Sequence, residues 1–381
     1  MGSGCENRRV PEITIPADLL PADGRFGSGP SKVPTGRLEA LAATGASLMG
    51  TSHRQQPVKQ LVRRVRESLT AFFELPDGYE VALGNGGAIA FFDTVTYALI
   101  RRHSQHAIFG EFAKKLAKAA RHAPWLDEPT ILMASHGSRS RAVYAPDVDT
   151  YVWAHNETST GVMAPVVRPK GATPDQLVVV DATSGAGGLP LDPAECDVYF
   201  FAPQKSFASD GGLWLTLLSP AAIERAHQVA ATGRHIPAFF DLVEAINQSR
   251  LDQTVNTPAV ATLYLLAEQL DWMLASGGLP AMVGRTTASS DALYAWAEKS
   301  SFATPFVVEP SYRSLVVGTI ELDASLPVKD VSAALRANGI VDVDAYRGVG
   351  TNQLRIAMYP NVDPADVEAL THCIDYVAER L

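Results

Sequence analysis

Two residue types that can do chemistry stand directly after apolar runs of this 381-residue chain. Lys205 follows the run 198–201, and Asp181 closes the run 177–180, so one strand-and-connection unit separates them. An amine in an apolar setting has a lowered pKa and becomes nucleophilic, and a carboxylate at the end of a buried strand lies where open α/β sheets bind ligands. Taken singly, Lys205 could also be a surface lysine, and Asp181 could cap the following turn.

A third stretch, Gly84-Asn85-Gly86-Gly87-Ala88-Ile89, could bind an anion. It follows a predicted strand and precedes an apolar helix over residues 90–100, and the first N–H groups of a helix are free to contact phosphate. A plain glycine-rich turn is the alternative interpretation. Together, a phosphate cradle, an acid and a nucleophilic lysine are the parts that a pyridoxal 5′-phosphate site requires.

Composition and missing motifs exclude several other classes. The chain has 32 basic and 41 acidic residues and a formal net charge of −9, which argues against a nucleic-acid binder and gives no reason to expect a membrane partner. The three cysteines are far apart, so they predict neither disulfides nor a thiolate zinc site and indicate a reducing, cytoplasmic environment. No metal is expected, because the sequence has no H-E-x-x-H motif and its histidines are scattered.

The elements that must position these residues alternate along the chain. Short apolar runs separate helical stretches at 80–83, 107–109, 130–133, 151–154, 177–180, 198–201 and 213–218. This alternation predicts an α/β fold with a mostly parallel central sheet and helices on both faces. After Gly277 the pattern becomes that of a smaller α+β domain. We therefore expect an N-terminal arm (1–24), a large cofactor-binding domain (25–276) and a small C-terminal domain (277–381).

An ordered set of short motifs extends from about residue 26 to the C-terminus. The motifs are Phe26-Gly27-Ser28-Gly29-Pro30, Ser52-His53-Arg54, Asn85-Gly86-Gly87, His155-Asn156-Glu157-Thr158, Asp181-Ala182-Thr183-Ser184, Gln204-Lys205, Asn256-Thr257-Pro258 and Gln353-Leu354-Arg355. In this order they resemble the phosphoserine aminotransferases, which are class V, fold-type I pyridoxal-phosphate enzymes, and most closely the actinobacterial branch. Each motif alone is weak, but the ordered set is specific.

The resemblance implies contacts to the cofactor. Lys205 corresponds to the lysine that binds it covalently, Asp181 to the partner of the pyridinium nitrogen, and Thr158 to the residue that hydrogen-bonds the phenolic oxygen. Phe112 falls where the family stacks an aromatic ring, often tryptophan. The residues implied to contact the cofactor phosphate are Ala88, Ile89, Gln204 and, across a dimer interface, Asn256 and Thr257. Many members have Gly-Arg in place of Ala88-Ile89, so that contact would come from backbone N–H groups.

Arginines dominate the substrate site that the resemblance implies. Arg54 and Arg355 match residues that bind carboxylate and phosphate groups, and Arg347 matches a further phosphate-binding arginine. A surface ion pair is the alternative for each. Many members have a histidine before the arginine that matches Arg347, where this chain has Tyr346. The segment from Arg347 to Arg355 is two residues longer here than in the enterobacterial members. The other residues implied at the substrate site are Ser28 and His53.

The activity implied by the resemblance is transamination between L-glutamate and 3-phosphohydroxypyruvate by a homodimer with shared active sites. The products are 2-oxoglutarate and O-phospho-L-serine, as in serine synthesis, and some members also act on a phosphorylated intermediate of pyridoxine synthesis. One alternative is another class V enzyme, such as an alanine–glyoxylate aminotransferase or a cysteine desulfurase. The other is a non-catalytic binding protein of the same fold, which would usually have lost Lys205 or Asp181.

Overall fold

A computed structural model describes residues 13–349 and 352–381 of the chain. Its helices are α1 (Thr35–Ala43), α2 (Gln56–Phe72), α3 (Gly87–Ala98), α4 (Glu111–His122), α5 (Pro220–Ala231), α6 (Leu242–Arg250), α7 (Val260–Ala275), α8 (Gly278–Lys299), α9 (Val328–Ala337) and α10 (Pro364–Ala378). Its strands are β1 (Glu80–Asn85), β2 (Ser104–Ile108), β3 (Thr130–Met133), β4 (Thr150–Ala154), β5 (Asn156–Glu157), β6 (Val162–Met163), β7 (Leu177–Asp181), β8 (Val198–Phe201), β9 (Leu213–Leu218), β10 (Ala303–Pro305), β11 (Val317–Leu322) and β12 (Gln353–Ala357).

The central sheet has seven strands in the order β1-β9-β8-β7-β4-β2-β3. Strand β9 runs antiparallel to both of its neighbours, and the other six strands all point the same way. The carboxyl ends of β1, β2, β4, β7 and β8 therefore meet at one edge of the sheet, which we call the carboxyl edge. The predicted mostly parallel sheet is confirmed.

Helices cover both faces of this sheet. On one face, Val180 and Tyr199 share an apolar core with the buried side of α2 and with α7. On the other face, Val179 and Phe200 pack with residues of α3, α5 and α6. Since successive side chains of a strand point to opposite faces, both sets must be apolar, and this explains why β7 and β8 are continuous apolar runs. The predicted helices on both faces are confirmed.

The C-terminal elements form a separate apolar cluster. Antiparallel strands β10, β11 and β12 pack with α8, α9 and α10 around residues that include Ile320, Leu354 and Val367. Ile13, Ile15 and Phe26 belong to the same cluster, so this part of the N-terminal segment packs against the C-terminal elements. Strand β12 ends close to Tyr359, whose hydroxyl donates to the Ser28 carbonyl at 2.9 Å. This contact joins the C-terminal cluster to the first motif of the sequence.

Candidate active site

The carboxyl edge of the sheet brings several predicted site residues to one place. Asp181 is the last residue of β7, and Lys205 follows β8 after a short turn. Thr158 follows β5, which continues from β4, and Phe112 lies in the first turn of α4 after β2. These residues are far apart in the sequence, and only the parallel order of the strands brings them together.

Lys205 is held in a tight, buried environment. The residue is 8% exposed, and its Nζ donates a hydrogen bond to the Ser28 carbonyl at 2.5 Å. A Cβ on Gly29 would lie 2.2 Å from that Nζ, so a side chain at this position would displace the amine. Burial, with the nearby positive charge of Arg355, lowers the pKa of Lys205 to about 7. A substantial fraction of the amine is therefore neutral near pH 7, as a nucleophile or base requires.

Asp181 is buried and held in one orientation. Its Oδ1 accepts hydrogen bonds from the backbone N–H of Thr183 at 2.9 Å and from the Thr183 hydroxyl at 2.5 Å. Burial raises the pKa of Asp181, and the Thr183 donors oppose that shift. No hydrogen bond from the described residues reaches its second oxygen, Oδ2. The carboxylate is thus fixed through one oxygen and offers the other to a ligand.

Thr158 is positioned by a small buried network. Its hydroxyl donates to Ser184 Oγ at 2.7 Å, and Asn156 Nδ2 donates to the same oxygen at 2.9 Å. Ser184 Oγ in turn donates to the Asn156 carbonyl at 3.2 Å. Ser184 lies three residues after Asp181, so the turn that follows β7 orients both the acid and Thr158.

Two aromatic rings and one guanidinium group lie close together near the first turn of α4. The rings of Phe112 and Tyr346 have centroids 5.6 Å apart, and the guanidinium carbon of Arg355 lies 5.4 Å from the Tyr346 ring centroid. Burial lowers the pKa of Arg355, and its buried Nε has no hydrogen-bond partner among the described residues. Arg355 is thus a largely desolvated cation with an N–H group available to donate a hydrogen bond, so it can bind a substrate carboxylate.

The predicted phosphate cradle lies at the first turn of α3. Among residues 13–349 and 352–381 no side chain caps this helix, so the N–H groups of its first turn can bind an anion. Ala88 is buried, whereas Ile89 is 61% exposed. Neither side chain can donate a hydrogen bond, so any contact to phosphate at these two positions comes from backbone N–H groups.

A second group of predicted residues lies next to the cradle. Asn85 Nδ2 donates to Asn256 Oδ1 and to the Thr257 carbonyl, both at 2.8 Å. Thr257 Oγ1 lies 3.3 Å from His53 Nδ1. Partial burial lowers the pKa of His53, as does the positive charge of Arg54. The cluster brings the Asn-Thr-Pro and Ser-His-Arg motifs to the cradle within a single chain.

The structure leaves two predicted arginines at the surface. Arg54 and Arg347 are both exposed. Neither makes a salt bridge with a residue of the described ranges. Their assignment to substrate binding therefore stays a prediction, as do the other site assignments.

The residues at the carboxyl edge fit pyridoxal phosphate. Buried polar atoms without a hydrogen-bond partner among the described residues include Ser28 Oγ, Asn156 Oδ1 and Gln204 Oε1. They accompany a buried amine, a buried acid with one open oxygen, and an uncapped helix N-terminus, which match the aldehyde, pyridinium and phosphate groups of that cofactor. Within the described ranges, no helix has the length and apolarity of a membrane span, and no group of side chains is arranged to bind a metal ion.

Sequence reasoning missed two residues of this site. Tyr359 shares the Ser28 carbonyl with Lys205, and Glu157 lies fully buried between Asn156 and Thr158. The available signal for Glu157 is its position inside the matched motif His155-Asn156-Glu157-Thr158, next to the predicted site residue Thr158. No sequence signal identified Tyr359, because a tyrosine after a buried strand is ordinary.

Comparison with known proteins identifies the family. The family model "Aminotransferase class-V" matches residues 28–370, so the chain belongs to the class-V aminotransferases. Among curated proteins, a phosphoserine aminotransferase of Nocardioides sp. is 65% identical, over 97% of this chain and 99% of its own length. A putative phosphoserine aminotransferase of Mycolicibacterium vanbaalenii is 56% identical, also over 97% of this chain and 99% of its own length. The resemblance inferred from the ordered motifs is confirmed.

Solved structures confirm the fold. The phosphoserine aminotransferase of Cytophaga hutchinsonii matches with a TM-score of 0.85, covering 93% of this chain and 99% of its own length at 23% identity. A phosphoserine aminotransferase of Bacillus circulans matches with a TM-score of 0.81, covering 94% of this chain and 99% of its own length at 21% identity. The predicted fold-type I architecture is therefore confirmed.

Proposed function

We infer that this protein is a pyridoxal-phosphate-dependent transaminase that moves an amino group from L-glutamate to 3-phosphohydroxypyruvate. The products are 2-oxoglutarate and O-phospho-L-serine. One observation carries this function: Lys205, with its pKa lowered to about 7, lies at the same sheet edge as Asp181 and near Arg355. The 65% identity to a curated phosphoserine aminotransferase supports this choice of acceptor.

Lys205 is the residue that moves protons. When bound, the cofactor supplies the carbonyl carbon that receives the amino group and a ring that stabilises negative charge at the substrate Cα. The neutral amine of Lys205 would take the proton from Cα of glutamate and deliver it to the cofactor carbon that receives the amino group. In the second half-reaction the same amine would take a proton from that carbon and deliver it to Cα of the new amino acid. Its lowered pKa places both protonation states within reach near pH 7.

The remaining residues hold and orient the cofactor. Asp181 would hold the pyridinium nitrogen of the bound cofactor through its open oxygen Oδ2 and would keep that nitrogen protonated, because a nearby negative charge favours the cationic form. The Thr158 hydroxyl, which donates to Ser184 Oγ in the structure, would turn its hydrogen to the phenolic oxygen of a bound cofactor, and Phe112 would cover one face of the ring. The first-turn N–H groups of α3 and the Gln204 side chain bind the phosphate.

Substrate binding uses the arginines. Arg355 binds the α-carboxylate that glutamate and phosphohydroxypyruvate share. Arg54 and Arg347 face the second anionic group, with His53 nearby. A phosphate carries about −1.5 to −2 charge and three acceptor oxygens, so it gains more from two guanidinium groups than a carboxylate does.

The glutamate half-reaction tests this function directly. We expect L-glutamate, added without acceptor, to change the visible absorbance of the cofactor-loaded protein, and phosphohydroxypyruvate to restore the original spectrum. The measurement is stopped-flow absorbance, with L-alanine as the control donor. An unchanged spectrum with glutamate would contradict the function, and an equally fast change with alanine would favour an alanine–glyoxylate enzyme.

We propose that the active unit is a homodimer in which Asn256 and Thr257 reach the phosphate bound by the partner subunit. The support for this arrangement is the match of Asn256 and Thr257 to the family's motif. Within one chain the two residues contact Asn85 beside that chain's own cradle, so a shared site requires the two cradles to lie close to the two-fold axis of the dimer. We also propose the division at residue 277 into a large and a small domain. Arg355 and Tyr346 would then belong to the small domain, and Lys205 to the large one.

Subunit mixing tests the shared site. We combine an Asn256→Ala/Thr257→Ala double variant with Lys205→Ala, each nearly inactive alone. If sites are shared, the mixed dimer has one site with an intact lysine and an intact partner contribution. Activity should then recover to as much as about a quarter of the wild-type value, since random exchange makes about half of the dimers mixed and each mixed dimer has one active site. Two different Lys205 variants serve as the control mixture and should not recover. No recovery despite demonstrated exchange would mean that each chain completes its own site.

The free cysteines agree with a cytoplasmic aminotransferase. Cys196 and Cys373 are buried free thiols, and Cys5 lies outside the described residues. Burial raises the pKa of both described thiols, so neither is a reactive thiolate of the kind a desulfurase needs. We accordingly propose a cytoplasmic location, where thiols stay reduced.

A further inference from the structure

A buried carboxylate outside the proposed catalytic set lies beside Phe112. Glu157 is 0% exposed, and it lies on β5 directly before Thr158. Its Oε1 accepts a hydrogen bond from the backbone N–H of Phe112 at 3.1 Å, and its Oε2 accepts one from Ala113 at 3.0 Å. Two consecutive N–H groups of the first turn of α4 are thus bound by one side chain, 44 and 45 residues away in the sequence.

The surroundings of Glu157 fix it in place. Ser159 Oγ donates to Glu157 Oε1 at 2.8 Å and accepts from the N–H of Glu111 at 3.0 Å. A Cβ on Gly110 would lie 1.8 Å from Glu157 Cγ, so only glycine at that position lets the carboxylate reach the helix. Burial raises the pKa of Glu157 to about 7, while the two backbone N–H groups and Ser159 favour the charged form.

We propose that Glu157 is a positioning residue that holds the ring of Phe112 against the face of the cofactor. By binding the N–H groups of Phe112 and Ala113, it fixes the first turn of α4 relative to β5. The same short strand leads directly into Thr158. One segment would therefore position two residues that contact the cofactor. It contains Thr158, which would bind the phenolic oxygen, and it positions the Phe112 ring through the Glu157 side chain. The proposal rests on the proposed function, because it assumes that Phe112 stacks on the cofactor.

The arrangement differs from an ordinary helix cap. The residue before α4 is Gly110, which has no side chain, and no side chain from the N-cap position binds this helix. A cap from the adjacent residue would stabilise the helix alone, whereas a carboxylate from β5 also fixes where the helix begins relative to the sheet. A hydrogen bond to a charged acceptor is also stronger than one to a neutral acceptor.

The test uses Glu157→Gln, which has nearly the same shape. The glutamine keeps one acceptor oxygen but presents an amide N–H₂ to the other backbone N–H, so one hydrogen bond is lost. We expect the affinity for pyridoxal phosphate to fall roughly ten- to a hundredfold, with an altered circular dichroism of the bound cofactor. The matched control is Ser219→Ala, which removes the cap hydrogen bond of α5 at the opposite edge of the sheet and should leave the affinity unchanged.

A double-mutant cycle with Phe112→Ala separates positioning from general stability. If Glu157 acts through the Phe112 ring, Glu157→Gln should change the cofactor affinity much less in the Phe112→Ala background than in the wild type. Equal changes in the two backgrounds would overturn the proposal. Should Glu157→Gln fold poorly, Ser159→Ala loosens the same carboxylate and should give a smaller loss of affinity in the same direction. No loss of affinity with Ser159→Ala would then count against the proposal.

Amide hydrogen exchange tests the contact without the cofactor. The N–H groups of Phe112 and Ala113 should exchange faster in Glu157→Gln than in the wild type, while the first turn of α5 stays unchanged. Unchanged exchange in α4 would refute the positioning role. A wild-type protein that binds no pyridoxal phosphate would instead refute the proposed function, so the two failures are distinguishable.

Discussion

Replacing Lys205 with alanine is expected to lower kcat for transamination at least about 10⁴-fold, the upper range for loss of a general acid–base group. The amine is buried at the carboxyl edge, donates to the Ser28 carbonyl and has a pKa lowered to about 7. Alanine removes the covalent attachment of the cofactor and the proton carrier together. The variant should still bind some cofactor, because the phosphate and ring contacts remain.

Two measurements check the Lys205 prediction. Steady-state rates give the loss of kcat, with Lys329→Ala, an exposed lysine of α9, as the control. Borohydride reduction followed by peptide mass spectrometry should find the cofactor attached to the Lys205 peptide in the wild type and absent in the variant. Attachment at another lysine, or an unmodified wild type after incubation with cofactor, would contradict the assignment.

The central sheet could be predicted from the sequence because its strands are buried on both faces. Strand β8 has the predicted bounds, since four consecutive apolar residues followed closely by Pro203 are typical of a short strand buried on both faces. Strand β2 begins three residues earlier than the predicted run, at Ser104. Its first residues are polar yet buried, and His106 Nε2 lies 2.9 Å from Ser104 Oγ, so these side chains satisfy each other. Hydrophobicity alone cannot reveal a polar pair inside a sheet.

The sequence predicts the helix break at Gly277 but not where the next helix begins. The two glycines predict that the long helix before them stops, and the pattern after them predicts that a further helix follows. The structure shows that α8 begins immediately afterwards at Gly278 and continues to Lys299. Gly277 has φ +104, which lets the chain turn sharply between two helices. The new helix is stabilised by packing, because Leu293 and Tyr294 of α8 are buried in the C-terminal apolar cluster.

Candidate residues at strand ends could be predicted, whereas their partners could not. Asp181 stands out because it ends an apolar run, and Lys205 because it follows one after a short turn. The role of Glu157 depends on backbone N–H groups, which carry no residue identity in a sequence. The meeting of Phe112, Tyr346 and Arg355 depends on how the C-terminal elements pack against the sheet, which no local pattern specifies.

The second large effect concerns the acceptor. We expect a phosphorylated 2-oxo acid to be preferred over its unphosphorylated analogue by about 10⁴ in kcat/KM. Arg54 and Arg347 are exposed in the free protein, bound substrate would cover them, and an analogue without the phosphate would leave these covered cations without a partner. Arg355→Ala should damage both half-reactions, since both substrates have an α-carboxylate. Arg347→Ala should damage the phosphorylated acceptor more than glutamate. The control is Arg102→Ala, an exposed arginine that pairs with Asp127, remote from the carboxyl edge.

The most direct test of the account is kcat/KM for four acceptors with L-glutamate as the donor. The acceptors are 3-phosphohydroxypyruvate, hydroxypyruvate, pyruvate and glyoxylate, measured with the same cofactor-loaded preparation. We expect kcat/KM for phosphohydroxypyruvate to exceed the values for the other three by about 10⁴. Comparable values for pyruvate or glyoxylate would contradict it and assign the site to an alanine–glyoxylate type of aminotransferase.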